Sequence, residues 1–489
     1  MRKKLILIFI TAFFIRTISL NQSLWLDEAT TANVVKNYPH FKILTVFSPY
    51  DFHPPVYYWF MKFWTDIFGY SEISLRFPSI IFSLITGFVI FKIVKELKSE
   101  KVAMWAVVLF LFNPLIIYYS QEARMYSLIT LLITMIIYYL LAPRSSLERN
   151  GVANLKLTCP AKRSFPTSAR STIVELRAVG RPLSFVTRQL ILCNLFIFLS
   201  FLTFYGSIFF IVSIYLYLLF KKQFKLLLYL LPGFVISHLL ISPLLYQQFL
   251  NSKIAIYEVL NWSTVLGKAN IKNLLLIPIK FSIGRISFEP KIFYYLISSL
   301  LSSFLFYFLL KPMFDLRGPT KKSNQIFLWL FFGPIILGFF VSFYTPLLQY
   351  FRFLYLIPIM IILIAVSVNK NWQKIIILSG FILFSLIYVL NPNFHREDWK
   401  SLVKSLSVSK PIYMILSSSD PIKYYNNKFE LRDIKKLSDY NLENSIQVIP
   451  YSIQIHGVNY KEILTKKGYL VNKEKSFREL KTEIWTKIQ

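Results

Sequence analysis

Apolar runs about as long as a bilayer is thick recur along most of this chain, separated by short charged or aromatic breaks. A membrane span needs about 20 apolar residues. Segments that approach that length lie at 4–20, 76–95, 102–119, 124–142, 189–204, 206–220, 225–246, 291–310, 326–344, 350–368 and 375–391, which predicts about eleven transmembrane helices. The pair 189–204 and 206–220 is separated only by Tyr205-Gly206, and read as one helix it would be too long for a bilayer. Residues 1–4 are basic and 5–20 apolar, but no small-residue cleavage site follows. The segment therefore reads as a retained first helix. Arg16 lies near its outer end, where the side chain can either snorkel or point into the protein.

Loop charge orients these spans. With the N-terminus inside, the cytoplasmic loops would be 95–101, 143–188, 221–225, 311–325 and 369–374, and each is net basic. The opposite loops, 21–75, 120–123, 247–290 and 345–349, are longer or less basic. The positive-inside rule therefore predicts a cytoplasmic N-terminus and an extracytoplasmic C-terminus. Joining 189–220 into one helix would invert every later loop and destroy this agreement.

Two regions break the apolar pattern. Residues 392–489 are polar, with strand-like runs at 412–416 and 446–449 and helix-like runs near 397–407 and 459–466. They predict a small C-terminal α/β domain on the outer face, following a transmembrane domain at 1–391. Residues 143–188 are rich in Arg, Ser, Pro and Thr, show no apolar period, and read as a disordered cytoplasmic insertion. Composition alone also fits an ordinary long loop.

Composition narrows the class further. Of 489 residues, 55% are hydrophobic and only 16% charged, a balance unlike that of a soluble chain of this length. The net charge of +31 would suit nucleic acid, but the Lys and Arg residues lie between apolar runs and form no soluble basic patch. No nucleic-acid partner is expected. Two cysteines, Cys159 and Cys193, make no disulfide framework and no metal-ligand spacing.

Chemistry-bearing residues cluster at one face. Trp25-Leu26-Asp27-Glu28-Ala29 places adjacent carboxylates just after the first span. Asp27 fits either an N-cap for a helix starting at Glu28 or a general base at the membrane boundary, and the two roles are compatible. Next, Asp51-Phe52-His53-Pro54-Pro55-Val56-Tyr57-Tyr58 leads from a double proline into an aromatic helix expected to lie along the membrane surface. A lone His is usually structural, but His53 sits beside Asp51 in a loop already holding two carboxylates. Between the third and fourth spans, Ser120-Gln121-Glu122-Ala123-Arg124-Met125-Tyr126 puts charges at membrane depth, where they are costly and mark function. A Glu122–Arg124 ion pair pinning the turn is the alternative.

These motifs, in this order and spacing, resemble the dolichyl-phosphate-mannose–protein mannosyltransferase family. More broadly they resemble the GT-C class of membrane glycosyltransferases, including bacterial relatives acting on lipid A or surface polysaccharides. The resemblance rests on WLDEA at 25–29, HPPVYY at 53–58, SLRFPS at 74–79 and SQEARMYSL at 120–128. It is weaker later, where Tyr350-Phe351-Arg352-Phe353-Leu354-Tyr355-Leu356-Ile357-Pro358 resembles a late helix start of the family. His395-Arg396-Glu397-Asp398-Trp399-Lys400 resembles the opening of the outer domain in bacterial members. Thr203-Phe204-Tyr205 departs from the Thr-His-Tyr that family members often carry, which removes an imidazole there.

The resemblance implies a polyprenyl-phosphate sugar as donor and a glycan, lipid or protein hydroxyl as acceptor, with inversion at the anomeric carbon. Asp27 matches the family's first acid and is the expected base, with Glu28 as supporting acid or acceptor ligand. Arg124 and Arg352 are the expected phosphate ligands, since guanidinium binds phosphate oxygens bidentately. His53, Glu122 and Tyr126 would orient substrates. No glycine-rich nucleotide loop and no metal-ligand cluster is apparent, so no cofactor and no metal is expected. A multi-pass transporter or flippase for a lipid-linked glycan is the rival reading. Transporters typically show inverted repeats and broken helices at the midplane, and this sequence shows no such repeat. A non-catalytic membrane scaffold or receptor, binding through 392–489, is a third class; Asp27→Asn separates it from an enzyme.

Overall fold

The computed structural model describes residues 2–149, 183–314 and 321–488. Of the expected insertion at 143–188, residues 150–182 lie outside the described residues, as does Cys159. The first helix, α1 (Arg2–Thr17), is followed by α2 (Leu26–Asn37) and α3 (Val56–Phe68) in the first long loop. Then come α4 (Glu72–Leu97), α5 (Glu100–Leu111), α6 (Pro114–Ser120) and α7 (Tyr126–Arg149). The middle of the chain forms α8 (Leu183–Thr203), α9 (Ile208–Phe220), α10 (Phe224–Glu258) and α11 (Ile271–Ile283). The bundle is completed by α12 (Lys291–Phe314), α13 (Lys321–Val341), α14 (Ile357–Ser367) and α15 (Asn371–Leu390).

Local signals explain several helix starts. Ser71 and Ser99 cap α4 and α5 by accepting from the backbone N–H groups of Ser74 and Val102. Asn113 accepts from Leu115 and Ile116 at 3.0 and 3.1 Å, and Pro114 occupies the first position of α6. Because proline has no N–H to continue α5, the chain turns here by 61°. The expected straight span 102–119 is thus a bent pair. Its corner is held by Asn113 Nδ2 donating to the Phe281 carbonyl at 2.8 Å.

Each of the eleven expected segments falls on helix, but six described helices are long and apolar enough to cross a membrane, or seven with the bent pair. Helix α1, with 16 residues, is about 24 Å long and falls short of a 30 Å hydrocarbon core. The split at 189–220 is real: α8 ends at Thr203 and α9 begins at Ile208, with a 3-10 turn over Tyr205–Ser207. Arg16 points into the protein, donating to the carbonyls of Ala12 and Leu111 at 2.9 and 2.8 Å. Helix α14 is apolar all round and lies buried at the bundle centre, as a helix without a polar face must. On α10 and α12, residues such as Leu239 and Leu300 turn their apolar side chains outward.

Two segments depart from expectation in the stretch read as loop, 247–290. Helix α10 runs on to Glu258 through Pro232 and Pro243, and α11 occupies Ile271–Ile283. The apolar run within α11 is shorter than a span, so the length criterion passed over it.

The C-terminal part forms α16 (Trp399–Ser405), β1 (Ile412–Met414), α17 (Asp420–Tyr425), β2 (Leu431–Asp433), β3 (Ser445–Val448), α18 (Tyr460–Lys466), β4 (Tyr469–Phe477) and β5 (Leu480–Lys487). The sheet order is β2-β1-β3-β5-β4, with β1 parallel to both neighbours and β5 antiparallel to β3 and β4. Alternation along β1 sends Ile412 and Met414 to one core with Trp399 and Ile422, and Tyr413 to the other with Leu464 and Trp485. Strands β1 and β3 and helices α16 and α18 match the expected runs. The β4–β5 hairpin was not expected, because the exposed β4 carries a polar sequence, Asn472-Lys473-Glu474-Lys475-Ser476.

Candidate active site at the capped end of the bundle

Three chain segments meet where the C-terminal sheet sits on the helices. The loop after α1, the start of α4 and the turn at 121–125 are stitched together by one buried pair, Glu28 and Arg76. Arg76 Nε donates to Glu28 Oε1 at 2.8 Å, and its Nη2 donates to Oε2. Arg76 also donates to the carbonyls of Leu20, Gln22 and Ser23 at 2.9, 2.7 and 3.0 Å. Glu28 further accepts from the N–H groups of Ala123 at 2.7 Å and Trp25 at 3.4 Å. Both oxygens of Glu28 are thus engaged by the protein and its side chain is 1% exposed. Glu28, expected as a supporting acid or acceptor ligand, thus has its carboxylate directed to Arg76 and to backbone N–H groups. The turn at 121–125 is tied to α1 as well, through Gln121 Nε2 donating to the carbonyls of Arg16 and Ile18.

Asp27 differs from its neighbour. Helix α2 begins at Leu26 with Trp25 as its N-cap, so Asp27 sits in the first turn and is not the cap. Its side chain is 37% exposed and lies 3.5 Å from Arg124 Nη2, itself only 4% exposed. Arg124 Nε is buried with no hydrogen-bond partner in the protein, and so is Arg352 Nη1. Both guanidinium groups lie within electrostatic reach of Tyr126, whose ring packs on Tyr119 and Phe351 at 5.0 and 5.6 Å. Buried donors without partners are uncommon in folded proteins and ask for a ligand or a role.

Beside this centre, Asp51 Oδ2 accepts from the Tyr58 hydroxyl at 2.7 Å and meets His53 Nδ1 at 3.1 Å. Burial, reinforced by Asp51, pushes the Tyr58 phenol well above its ordinary range and keeps it a donor. The His53 and Ser48 carbonyls accept from Gln248 Nε2 at 3.2 and 2.7 Å, which ties this loop to α10. Helix α3 buries Tyr57, Tyr58, Met61 and Thr65 and exposes the apolar Phe63 and Ile67.

Glu122 and Arg124 do not pair with each other, contrary to the local-ion-pair alternative. Glu122 Oε1 instead lies 3.5 Å from Nε of Arg396, in the segment that opens the C-terminal part. Arg396 Nε and Arg285 Nη1 both donate to the Tyr118 hydroxyl, at 2.7 and 2.8 Å. The Arg396 guanidinium also stacks 3.8 Å over the Trp25 ring, two residues before Asp27. Arg478 and Glu479, in the β4–β5 turn, reach this cluster by a bond to the Arg396 carbonyl and an ion pair with Arg285. Arg76, Tyr118, Arg285 and Arg396 were not expected as site residues. Arg76 and Arg396 lie in quoted motifs, SLRFPS and HREDWK, whereas Arg285 follows a helix that was itself unexpected and carried no signal. Among the described residues no three His, Cys, Asp or Glu side chains are grouped as metal ligands.

The helical bundle carrying a small C-terminal sheet has a GT-C-like fold. Residues 52–148 match the family model described as dolichyl-phosphate-mannose-protein mannosyltransferase, in agreement with the resemblance carried by the motifs. No curated protein matches the chain. Among solved structures, ArnT from Cupriavidus metallidurans in the apo state is similar with a TM-score of 0.58 and 10% identity, covering 99% of this chain and 98% of that one. The same protein bound to undecaprenyl phosphate aligns with a TM-score of 0.55 and 10% identity, over 98% and 97% of the two chains. The archaeal oligosaccharyltransferase AglB from Archaeoglobus fulgidus, in complex with an inhibitory peptide and a dolichol-phosphate, aligns with a TM-score of 0.52 and 10% identity. That alignment covers 97% of this chain and 73% of AglB.

Proposed function

We propose that this chain is an inverting glycosyltransferase of the outer membrane face that moves a hexose or pentose from a polyprenyl-phosphate donor to an acceptor hydroxyl. The observation that carries this reading is the half-exposed Asp27 beside buried Arg124, with a second buried guanidinium, Arg352, near the same tyrosine. The family match over 52–148 supports it, as do similar folds bound to undecaprenyl phosphate and dolichol-phosphate. Asp27 accepts the proton of the acceptor hydroxyl as its oxygen attacks the anomeric carbon. The bond from that carbon to the phosphate oxygen breaks, and the lipid phosphate leaves with the electron pair. Arg124 and Arg352 stabilise the growing negative charge. Before the donor arrives, Arg124 is paired with Asp27. A phosphate entering between the arginines competes for the guanidinium and releases the carboxylate to act as base. Tyr126 lies within electrostatic reach of both arginines, and the His53–Asp51–Tyr58 group, with Tyr58 and Asp51 in reach of Arg124, orients the sugar or acceptor. Glu122 acts through Arg396.

Release of lipid phosphate from a polyprenyl-phosphate sugar, with a cell-envelope extract as acceptor, tests the assignment. Arg124→Ala and Arg352→Ala are expected to raise the donor KM and lower turnover together, each by about tenfold or more, as loss of a charge-assisted phosphate contact does. An unchanged donor KM in both variants would remove the phosphate role.

The placement rests on loop charge and on the site lying at the capped end. In a protein with Cys159 and Cys193 replaced by Ser, a cysteine at the exposed Lys436 is expected to react with an impermeant maleimide on intact cells. Cysteines at exposed Lys98 and Lys370 are expected to react only after permeabilisation. The reverse pattern would turn the protein over.

A further inference from the structure

Helix α2 carries Asp27 but has little to hold it in place by itself. It has 12 residues, several of them β-branched, and its isolated helical stability is marginal. Its position comes from tertiary contacts. On one flank Glu28 binds Arg76. On the other flank lies α17 of the C-terminal part. Asp420 Oδ2 accepts from Thr30 Oγ1 at 2.6 Å, and the Asp420 carbonyl and Oδ1 accept from Asn33 Nδ2 at 2.9 and 3.3 Å. Thr30 has one hydroxyl proton and a second acceptor, the Leu26 carbonyl at 3.0 Å. The shorter bond goes to the carboxylate, the stronger acceptor.

The same short helix reaches the other end of α2. The Tyr425 hydroxyl accepts from the N–H of Leu24 at 2.8 Å, and the Tyr424 hydroxyl donates to the Tyr70 carbonyl at 2.8 Å. Nearby, Lys400 pairs with Glu72 at 2.9 Å, and its N–H donates to Ser23 Oγ at 3.1 Å. Thr30 lies three residues after Asp27, one turn along the same side of the helix. Among the described residues Asp27 itself has a single ion-pair partner, Arg124. Its distance from Arg124 therefore depends on where α2 lies, and Asp420 is the charged contact that fixes the second and third turns.

We propose that Asp420 is a positioning residue for transfer: through Thr30 and Asn33 it braces α2 and holds Asp27 in register with Arg124, which makes the C-terminal part a component of the catalytic centre. This rests on the reading of Asp27 as the base. A small misplacement of a base costs rate at the chemical step and leaves binding of a donor held by other residues almost untouched.

The test uses the full chain in detergent with Asp420→Ala, Asp420→Asn, Thr30→Val and the double Thr30→Val/Asp420→Ala. Asp420→Ala is expected to lower kcat by about tenfold or more with the donor KM within about twofold of wild type. Asp420→Asn, whose amide oxygen still accepts from Thr30, is expected to keep most of the rate. The double variant is expected to be no slower than Asp420→Ala alone, because both changes break one link. Independently of turnover, amide exchange in α2 is expected to quicken in Asp420→Ala while α4 and α7 keep their protection. Wild-type kcat in Asp420→Ala, additive losses in the double variant, or unchanged exchange in α2 overturns the proposal. If Asp420→Ala does not fold, Thr30→Val with wild-type kcat and exchange overturns it equally. Absence of transfer by the wild-type protein with every polyprenyl-phosphate sugar defeats the functional reading, while the exchange measurement still decides whether Asp420 braces α2.

Discussion

Asp27→Asn is expected to lower sugar transfer by about 10²–10⁴-fold, the usual worth of a general base, with donor affinity little changed. Asn keeps the size of the side chain and an acceptor for Arg124, so α2 and its anchors at Glu28 and Asp420 stay in place. What it loses is the ability to take a proton from the acceptor hydroxyl. The ion pair at 3.5 Å becomes a hydrogen bond to a neutral amide, which leaves Arg124 freer for phosphate. Donor KM is therefore expected to hold or fall slightly, whereas Arg124→Ala raises it. The measurement is steady-state lipid-phosphate release at varied donor, with thermal unfolding as the control for folding. Wild-type turnover in Asp27→Asn would remove the base assignment. An equal rise in donor KM would instead place Asp27 among the phosphate-organising groups.

Arg76→Ala is expected to produce the largest stability loss, about 3–5 kcal/mol, as breaking a buried ion pair from one side does. It leaves the Glu28 carboxylate charged and buried, and it strips donors from the carbonyls of Leu20, Gln22 and Ser23. Glu28→Gln is expected to be milder, since an amide oxygen can still accept from the Ala123 N–H, but Arg76 then lacks its counter-charge. Replacing both residues with apolar ones is not expected to restore stability, because the three carbonyls remain without donors. Monodispersity and melting in detergent check this. Arg76→Ala that melts like wild type would show that the pair does not hold the scaffold. The contrast with Asp27→Asn is the informative part: neighbouring carboxylates, one expected to control rate and the other to control folding.

Much of the frame was legible because its causes are local. A span needs a continuous apolar run, so the run positions marked the helices, and Tyr205-Gly206 marked a true break. Asn113-Pro114 carried a cap and a missing donor side by side, which is the chemistry of the bend, yet apolarity on both sides hid it under a length criterion. Helix α11 was illegible for the opposite reason: it is too short for a span and follows a helix that runs on past its expected end. The β4–β5 hairpin was hidden by the polar, exposed sequence of β4, although its turn delivers Arg478 and Glu479 to the site.

By itself the sequence determined the polytopic helical fold class, the approximate places of its apolar helices, two strands and two helices of the C-terminal part, and the short list of motifs in which Asp27, Arg124 and Arg352 stand. These follow from apolar length, from short strand-like runs and from residue types whose chemistry suits a phosphate and a hydroxyl. Only the tertiary structure decided the partners. Consecutive residues on a helix point about 100° apart, so Glu28 turns into the protein toward Arg76 and the Ala123 N–H while Asp27 stays partly exposed beside Arg124. Nothing in two adjacent carboxylates says which is which. Likewise Glu122 and Arg124 are near neighbours in the chain, but one finds Arg396 from the C-terminal part and the other finds Asp27 from α2. A buried charge must be met by whatever opposite group the fold brings within reach, and that group is set by packing between segments far apart in the chain.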